Sequence, residues 1–284
     1  MENEIRVIVH PTAAAFLEAA RPELAEHEAE HHLVLGVAES MIATPPASFL
    51  FAVTIHDAHG LVLAALMTGS RPLLVASDRP SIATYAPQLV DAIATAHQTP
   101  SHVIGAEGQI EALVDEWTRR GRSARVVMHQ RAYKLTQVSD LPQVPGQLRV
   151  ATLDDLDLVT EWVAAFEHEA MSGVLQLNST RAIAERRINS GEVFLWCDPE
   201  PRTMAGSARP TQHAIAVNAV YTPPERRRRG YATACVAAVS RTLLARGFEY
   251  CVLYTDLSNP TSNAIYTNIG YRPVKDFVMF ALSS

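Results

Sequence analysis

The 284-residue sequence predicts an α/β (α+β) fold built as two mixed sheets, each flanked by helices. Three observations predict it. Helix-like and strand-like segments alternate along the chain, the pattern of sheets covered by helices. A Pro- and Gly-bearing stretch, Thr136–Gln147 (TQVSDLPQVPGQ), interrupts the alternation near the midpoint and reads as a linker. Similar segments recur on either side of it. Ile5-Arg6-Val7 before a helix-like run from about Thr12 is matched by Leu148-Arg149-Val150 before one from about Thr152, and Gly121 with RVVMHQRAYKL is matched by Gly270 with RPVKDFVMFAL. Identities are few, so a repeat and a chance likeness of two α/β domains both fit. The expected division is 1–138, a linker at 139–147, and 148–284.

Each half reads as strand, helical region, two strands, helix, strand, short helix, strand. In the first half, Ser48–Ile55 and Leu61–Thr68 flank His56-Asp57-Ala58-His59-Gly60 as a hairpin. Pro87–Ala96 and Gln109–Arg119 have helical spacing around a short strand at His102–Ala106. In the second half, Leu156–Ala170 is helical, and Glu192–Cys197 and Met204–Ala208 are short strands. Ala214–Tyr221 is β-prone until Pro223-Pro224, which cannot donate to a ladder. Ile215 and Val217 share one strand phase and Val220 takes the other, which predicts a bulge near Asn218-Ala219. Ala232, Cys235, Val236, Val239 and Leu243 then form one helical stripe, ended by Arg246-Gly247. Tyr250–Thr255 is a strand, Asn259-Pro260 a turn, and Ser262–Ile269 a short helix closed by Gly270.

Composition narrows the function classes. Twenty-four Lys and Arg against 30 Asp and Glu give −6, which argues against a nucleic-acid or anionic-lipid partner for the whole chain. The longest strongly apolar stretch, Leu61–Met67, is far short of the roughly 20 residues of a membrane span. The first residues lack the basic and apolar regions of a signal peptide, so a cytoplasmic protein is expected. Cys197, Cys235 and Cys251 are dispersed with no C-x-x-C, against a zinc site or disulfide framework. His27 and His31, with His32 beside them, have the i, i+4 spacing of metal ligands, but no third ligand is in view. The expectation is a surface helix and no metal.

One segment carries chemistry. Arg226-Arg227-Arg228-Arg229-Gly230 lies between a strand and a helix. The first turn of a helix leaves N–H groups unpaired and carries partial positive charge. Gly230 permits a left-handed turn, Ala232 keeps the entrance uncrowded, and arginine forks suit phosphates. Together they describe a pyrophosphate cradle. It is neither a P-loop nor a G-x-G-x-x-G fingerprint.

Arg227-Arg228-Arg229-Gly230-Tyr231-Ala232 resembles the acetyl-CoA signature Arg/Gln-x-x-Gly-x-Gly/Ala of the Gcn5-related N-acetyltransferase (GNAT) superfamily. The wider VYTPPERRRRGYAT is similar to a bacterial subgroup reading V-Y-T-P-P-E-x-R-G-x-G-Y-A, with Arg228 where glycine is usual. Residues 250–273 resemble the family's segment N-x-x-A-I-x-x-Y-x-x-x-G-F, in the register Asn259, Tyr266, Gly270-Tyr271. The likeness is strong over about 214–273 and moderate over 148–213; over 1–135 it rests on the repeat.

The resemblance implies tandem GNAT-like domains, the second intact and the first degenerate. It implies an acyltransferase that moves an acetyl group from acetyl-CoA to an amine by direct attack, without a metal. It places the CoA pyrophosphate on amides around Arg227, Arg228, Arg229, Gly230, Tyr231, Ala232 and Thr233, and the pantetheine and thioester on Val220, Tyr221 and Thr222. It makes Tyr266 the proton donor to the departing thiolate, against a ring that merely packs, and Asn259 a pantetheine ligand, against an ordinary turn asparagine. No carboxylate lies on the strand Ala214–Tyr221. Glu169 in Glu167-His168-Glu169 is the candidate base, against a solvated helix face, with His213 and Asp256 behind it. In the first half the corresponding stretch Val75–Tyr85 lacks the signature, so that half is expected to shape the acceptor pocket or stabilise the fold. The other class of function that fits is a CoA-binding regulatory or scaffold protein without transferase chemistry.

Overall fold

A computed structural model describes residues 5–43, 50–69, 71–171 and 181–283. The first run of elements is β1 (Arg6–Val9), α1 (Ala13–Leu24), α2 (Glu28–Ala43), β2 (Leu50–Asp57), β3 (Gly60–Thr68), β4 (Leu73–Ala76), α3 (Ala86–Thr95), β5 (His102–Ala106), α4 (Glu111–Arg119) and β6 (Ser123–Leu135). The second is β7 (Gln147–Val150), α5 (Leu156–Met171), α6 (Arg181–Asn189), β8 (Val193–Asp198), β9 (Glu200–Ala208), β10 (Ala214–Tyr221), α7 (Tyr231–Ala245), β11 (Tyr250–Asp256), α8 (Pro260–Ile269) and β12 (Arg272–Ser283). The two runs follow the same order, β-α-α-β-β-β-α-β-α-β, so the repeat seen in the sequence is a repeat of topology. Short β4 holds the place that β10 takes in the second run. Residues 48 and 49 of the expected hairpin lie outside the described residues.

Local chemistry sets the element starts. Thr12 caps α1, its hydroxyl accepting from Ala15 N at 3.2 Å. Thr152 and Asp155 form a capping box before α5, and Arg149 on β7 grips Asp155 with both arms of its guanidinium at 2.6 and 2.7 Å.

By internal contacts the chain divides into Met1–Ala132, Arg209–Thr211 and Val274–Ser284 as one unit, and Tyr133–Ala208 and Gln212–Pro273 as the other. In the first unit the strand order is β1-β2-β3-β4-β5-β12-β6, with β4 and β5 parallel. One face is covered by α3 and α4 around Phe51, Leu63, Leu89 and Trp117, the other by α1 and α2 around Phe16, Leu35 and Leu66. In the second unit the order is β11-β10-β9-β8-β7, with β10 and β11 parallel. There α7 packs Cys235, Val236, Val239 and Leu243 on Ile215, Val217 and Leu253, the stripe expected from the sequence. On the other face α5 and α6 pack Trp162 and Ile188 on Leu195 and Met204.

Two features differ from the expected division at 138 and 148. The last strand, β12, does not complete the unit that precedes it. It pairs antiparallel with β5 from Phe277↔Ala106 to Ala281↔His102, and Val278, Phe280 and Leu282 join the first unit's core. Each such burial is worth roughly 1.5–3 kcal/mol, large against a net stability of about 5–15 kcal/mol. The Thr136–Gln147 stretch is irregular yet packed. Ser139 N donates to Ile269 O at 2.8 Å, Val138 and Leu141 lie on the second unit's core, and the Trp196 indole donates to Pro145 O at 2.9 Å.

A fragment of residues 1–147 is therefore expected to lack a cooperative thermal transition and to bind a hydrophobic dye, because β5 and the first core lose the chain's last strand. Circular dichroism melting of that fragment checks this. A sharp transition from the fragment alone would contradict the strand assignment.

Candidate functional site

The site begins where β10 and β11 part. Their parallel pairing covers only Ala214↔Tyr250, Ile215↔Cys251 and Ala216↔Val252, although β10 continues to Tyr221 and β11 to Asp256. On its other side β10 stays on β9 but slips register between Asn218 and Tyr221. Ala219 takes a left-handed φ of +48° at the slip. Val217 and Val220 consequently both belong to the α7 face, while Ala219 and Tyr221 pack on the α5 face. The bulge expected from the residue phases is present, and it frees backbone groups at the mouth of the splay from regular pairing.

Beyond Thr222 the chain turns into the arginine loop. Arg227 is extended (φ −69°, ψ 166°), Arg228 left-handed (φ +62°), and Gly230 left-handed (φ +81°) immediately before α7. The two left-handed residues turn the chain sharply at the entrance to α7. The helix that follows has no side-chain cap and no acidic residue in its first turn. Ala234 N is the first α7 amide to bond back, to Gly230 O at 3.0 Å. The N–H groups of Tyr231, Ala232 and Thr233 are thus without helical acceptors. Arg228 and Arg229 are exposed and make no ion pair with a described residue. Arg228 stands where the resembled subgroup has glycine, and its positive φ shows what that glycine serves. A Cβ on Gly230 would lie 3.0 Å from Val144 Cγ2, so bulk is excluded there as well as backbone strain.

The other sequence-derived residues fall as follows. Val220 is half-buried; Tyr221 is buried, and its carbonyl accepts from the Thr203 hydroxyl at 2.7 Å. Thr222 Oγ1 lies 2.8 Å from Thr203 Oγ1, and its carbonyl accepts from Arg227 Nε at 2.8 Å. The Tyr231 phenol turns to Asp198 at 2.7 Å, which leaves its backbone N–H as its contribution to the mouth. Asn259 Oδ1 caps α8, accepting from Ser262 N at 3.0 Å. Tyr266 is buried among the residues of the α7 face, edge-on to Tyr271 at 6.1 Å between ring centres, and its hydroxyl bonds to no described residue. Burial pushes its phenol up to about 12, so it stays protonated at neutral pH.

Glu169 is drawn into the arginine loop. Arg227 Nη2 meets both its oxygens, at 2.8 and 2.6 Å, while the same guanidinium lies 5.9 Å from the centre of the Tyr221 ring. The structure thus brings Glu169, Arg227, Tyr221 and Thr222 together. Neither outlying base candidate joins them by a described contact: His213 lies 3.9 Å from Glu249, and Asp256 Oδ1 accepts from Ser258 N at 2.7 Å. Thr203, Asn218 and Arg187 also belong to the site. Asn218 lay at the bulge read from the sequence. Nothing in the sequence separates Arg187 from solvated helix arginines.

The equivalent place in the first unit is filled. The stretch Val75–Tyr85 runs from the end of β4 to α3, whose first turn includes Pro87, a residue with no N–H to offer. Where the second unit carries arginines, this loop is tied to a buried carboxylate: Asp57 accepts from the Tyr85 hydroxyl at 2.7 Å, His59 N at 2.7 Å and Arg79 at 3.1 Å. The space between β4 and β5, bordered by His31, Val75, Ile104 and Phe277, has a volume of about 10 Å³, room for about one water. The histidines there do not lie on a surface helix. His31 and His32 are buried, and burial pushes the His32 imidazole down to about 3, so it stays neutral. Glu30, His31 and Asp78 have the residue types of a metal site, but Lys275 already meets Glu30 at 2.7 Å, and His31 and His27 meet Asp78 at 2.8 and 3.2 Å.

The fold has counterparts among known proteins. The sequence profile of a family described as FR47-like protein matches residues 200–278. No curated protein sequence matches. A GCN5-related N-acetyltransferase from Sphaerobacter thermophilus is 16% identical and superposes with a TM-score of 0.63 over 98% of this chain and 95% of its own. A GNAT-family acetyltransferase from Colwellia psychrerythraea is 11% identical, with a TM-score of 0.55 over 99% and 100%. A tandem GNAT protein from the clavulanic acid biosynthesis pathway is 12% identical, with a TM-score of 0.52 over 99% and 98%. Among the described residues no helix is long and apolar enough to cross a membrane.

The loop conformation carries its own test. Gly230→Val is expected to destabilise the protein by about 2 kcal/mol, through left-handed strain and contact with Val144. Arg228→Gly removes strain of about 1 kcal/mol and should hold or raise the melting temperature. Thermal unfolding of the two variants checks both directions.

Proposed function

Because the chain has the fold of the GCN5-related N-acetyltransferases, in tandem, we propose that its second unit transfers the acetyl group of acetyl-CoA to a primary amine. The observation that carries this reading is the conjunction of the β10/β11 splay with the uncapped α7 mouth and two exposed arginines that pair with no described residue. An extended thiol carrier bearing a diphosphate matches both parts. The amides from Arg228 to Thr233 would take the diphosphate, with Arg228 and Arg229 adding charge. The splayed edge near Val220 to Thr222 would take the pantetheine.

In this reading the amine nitrogen attacks the thioester carbon, and a C–N bond forms. The carbonyl oxygen gains negative charge against backbone N–H groups freed by the bulge. The C–S bond then breaks. The thiolate is protonated by Tyr266, whose hydroxyl the burial described above keeps loaded. The same dry surroundings raise the proton affinity of the departing sulfur. The amine proton leaves through water to Glu169.

One observation favours the second reading, a CoA-binding regulator without turnover: β10 carries no carboxylate, and the nearest candidate is held by Arg227. Thiol release from acetyl-CoA across a panel of amines, compared with calorimetric binding of CoA, separates the two.

Tyr266→Phe is expected to lower kcat by about 100-fold while CoA affinity is kept. Gly230→Asp is expected to weaken acetyl-CoA binding at least tenfold, by bulk and by like charge at the diphosphate. Steady-state thiol release and calorimetry are the measurements. Unchanged turnover in the first variant removes Tyr266 from the mechanism, and unchanged affinity in the second removes the cradle.

A further inference from the structure

The bulge that opens the thioester site is a strained piece of backbone, and one largely buried cation lies directly on it. Ala219 has a Cβ and still adopts φ +48°, a conformation that side-chain-bearing residues avoid. The residue before it, Asn218, is the last in regular register, opposite Gly206 of β9. Arg187 of α6 donates through Nη2 to Asn218 Oδ1 at 3.0 Å and to the Ser207 carbonyl at 3.3 Å, so one guanidinium spans β10 and β9 at the point where their register breaks. Its side chain is 13% exposed, and Glu192 Oε2 lies 3.4 Å from its Nε.

The surroundings are fitted to this guanidinium. Glu192 N donates to Arg187 O at 2.9 Å, and Ser207 N donates to Glu192 O at 2.8 Å, which fixes the end of α6 to β9. Gly206 has no positive φ that would call for glycine. A Cβ there would overlap the Arg187 guanidinium and lie 2.8 Å from Asn218 Oδ1. Glycine at 206 is therefore explained by the space the guanidinium takes. Burying an arginine against a single long carboxylate contact is unfavourable for packing alone, and such a group finds its explanation in what it holds in place.

We propose that Arg187 is a positioning residue for the acetyl-transfer step, acting through Asn218 to hold Ala219 in the left-handed bulge that presents freed amides to the thioester. The inference rests on the transferase reading above and adds to it the α6–β9–β10 clamp. Arg187 touches neither substrate nor reacting atoms in this role. Its removal alters the geometry offered to the carbonyl oxygen and leaves the diphosphate cradle at α7 unchanged.

Three variants test it. Asn218→Ala removes the acceptor, Gly206→Ala displaces the guanidinium, and Asn218→Asp keeps an oxygen for Arg187. Each is assayed by thiol release from acetyl-CoA with the amine that wild type uses fastest, and by calorimetry with CoA, after thermal unfolding has confirmed the fold. Asn218→Ala and Gly206→Ala are expected to lower kcat at least tenfold with KM for acetyl-CoA and Kd for CoA within about threefold, and Asn218→Asp to recover most of kcat. A general loss of structure would instead move KM, Kd and kcat together and would overturn the positioning role, as would full kcat in Asn218→Ala. If wild type itself releases no thiol, the transferase reading fails, and a crystal structure of Asn218→Ala decides the clamp separately. Ala219 returned to negative φ supports it; Ala219 unchanged, with the register slip intact, overturns it.

Discussion

The parting of β10 from β11 after three residue pairs is the constraint on which the rest of the second unit depends. A parallel sheet is most stable when its ladder is continuous, and each hydrogen bond forgone costs about 0.5–1.5 kcal/mol. The unit carries that cost along with about 1–2 kcal/mol of left-handed strain at Ala219. What offsets it is visible around the break. Trp162 and Tyr221 pack 6.2 Å apart on the α5 face, the Thr203 hydroxyl takes the Tyr221 carbonyl, and Val217 and Val220 seat in the α7 core. A strand so anchored on both faces stays out of line with its neighbour, leaving a slot in the ladder beyond the third pair.

The two units show how the same topology either keeps or closes such a slot. Both have a parallel strand pair joined through a loop and a helix. In the second unit the loop alternates backbone hand and ends on an uncapped helix with arginines beside it. In the first, Pro87 stands in the first turn of the helix, the loop's arginine and tyrosine are consumed by Asp57, and side chains occupy the gap between the strands. The difference is one of local charge and donor supply. The scaffold is shared.

Much of this was legible in the sequence because it is local. The hydrophobic stripe from Ala232 to Leu243, the proline stop after β10 and the phase change between Val217 and Val220 each depend on neighbours within a few positions, and each describes the structure well. What was not legible depends on partners far along the chain. A strand such as Arg272–Ser283 alternates identically whether it closes its own unit or the other, so its pairing with β5 leaves no mark in its residues. Arg187 reads as one more helix arginine until Gly206 and Asn218 are brought to it from β9 and β10. His31 and His32 read as a polar face, and their burial follows from packing of α2 that no residue near them announces.

The placement of β12 also fixes when this protein can acquire its shape. During synthesis, the first half leaves the ribosome with a gap in its sheet that β12 fills. It must wait, partly formed, while the whole second half is translated. A nascent chain in that position exposes strand edge and apolar surface throughout that interval. The codons for β12 therefore bear on how much of the product escapes aggregation.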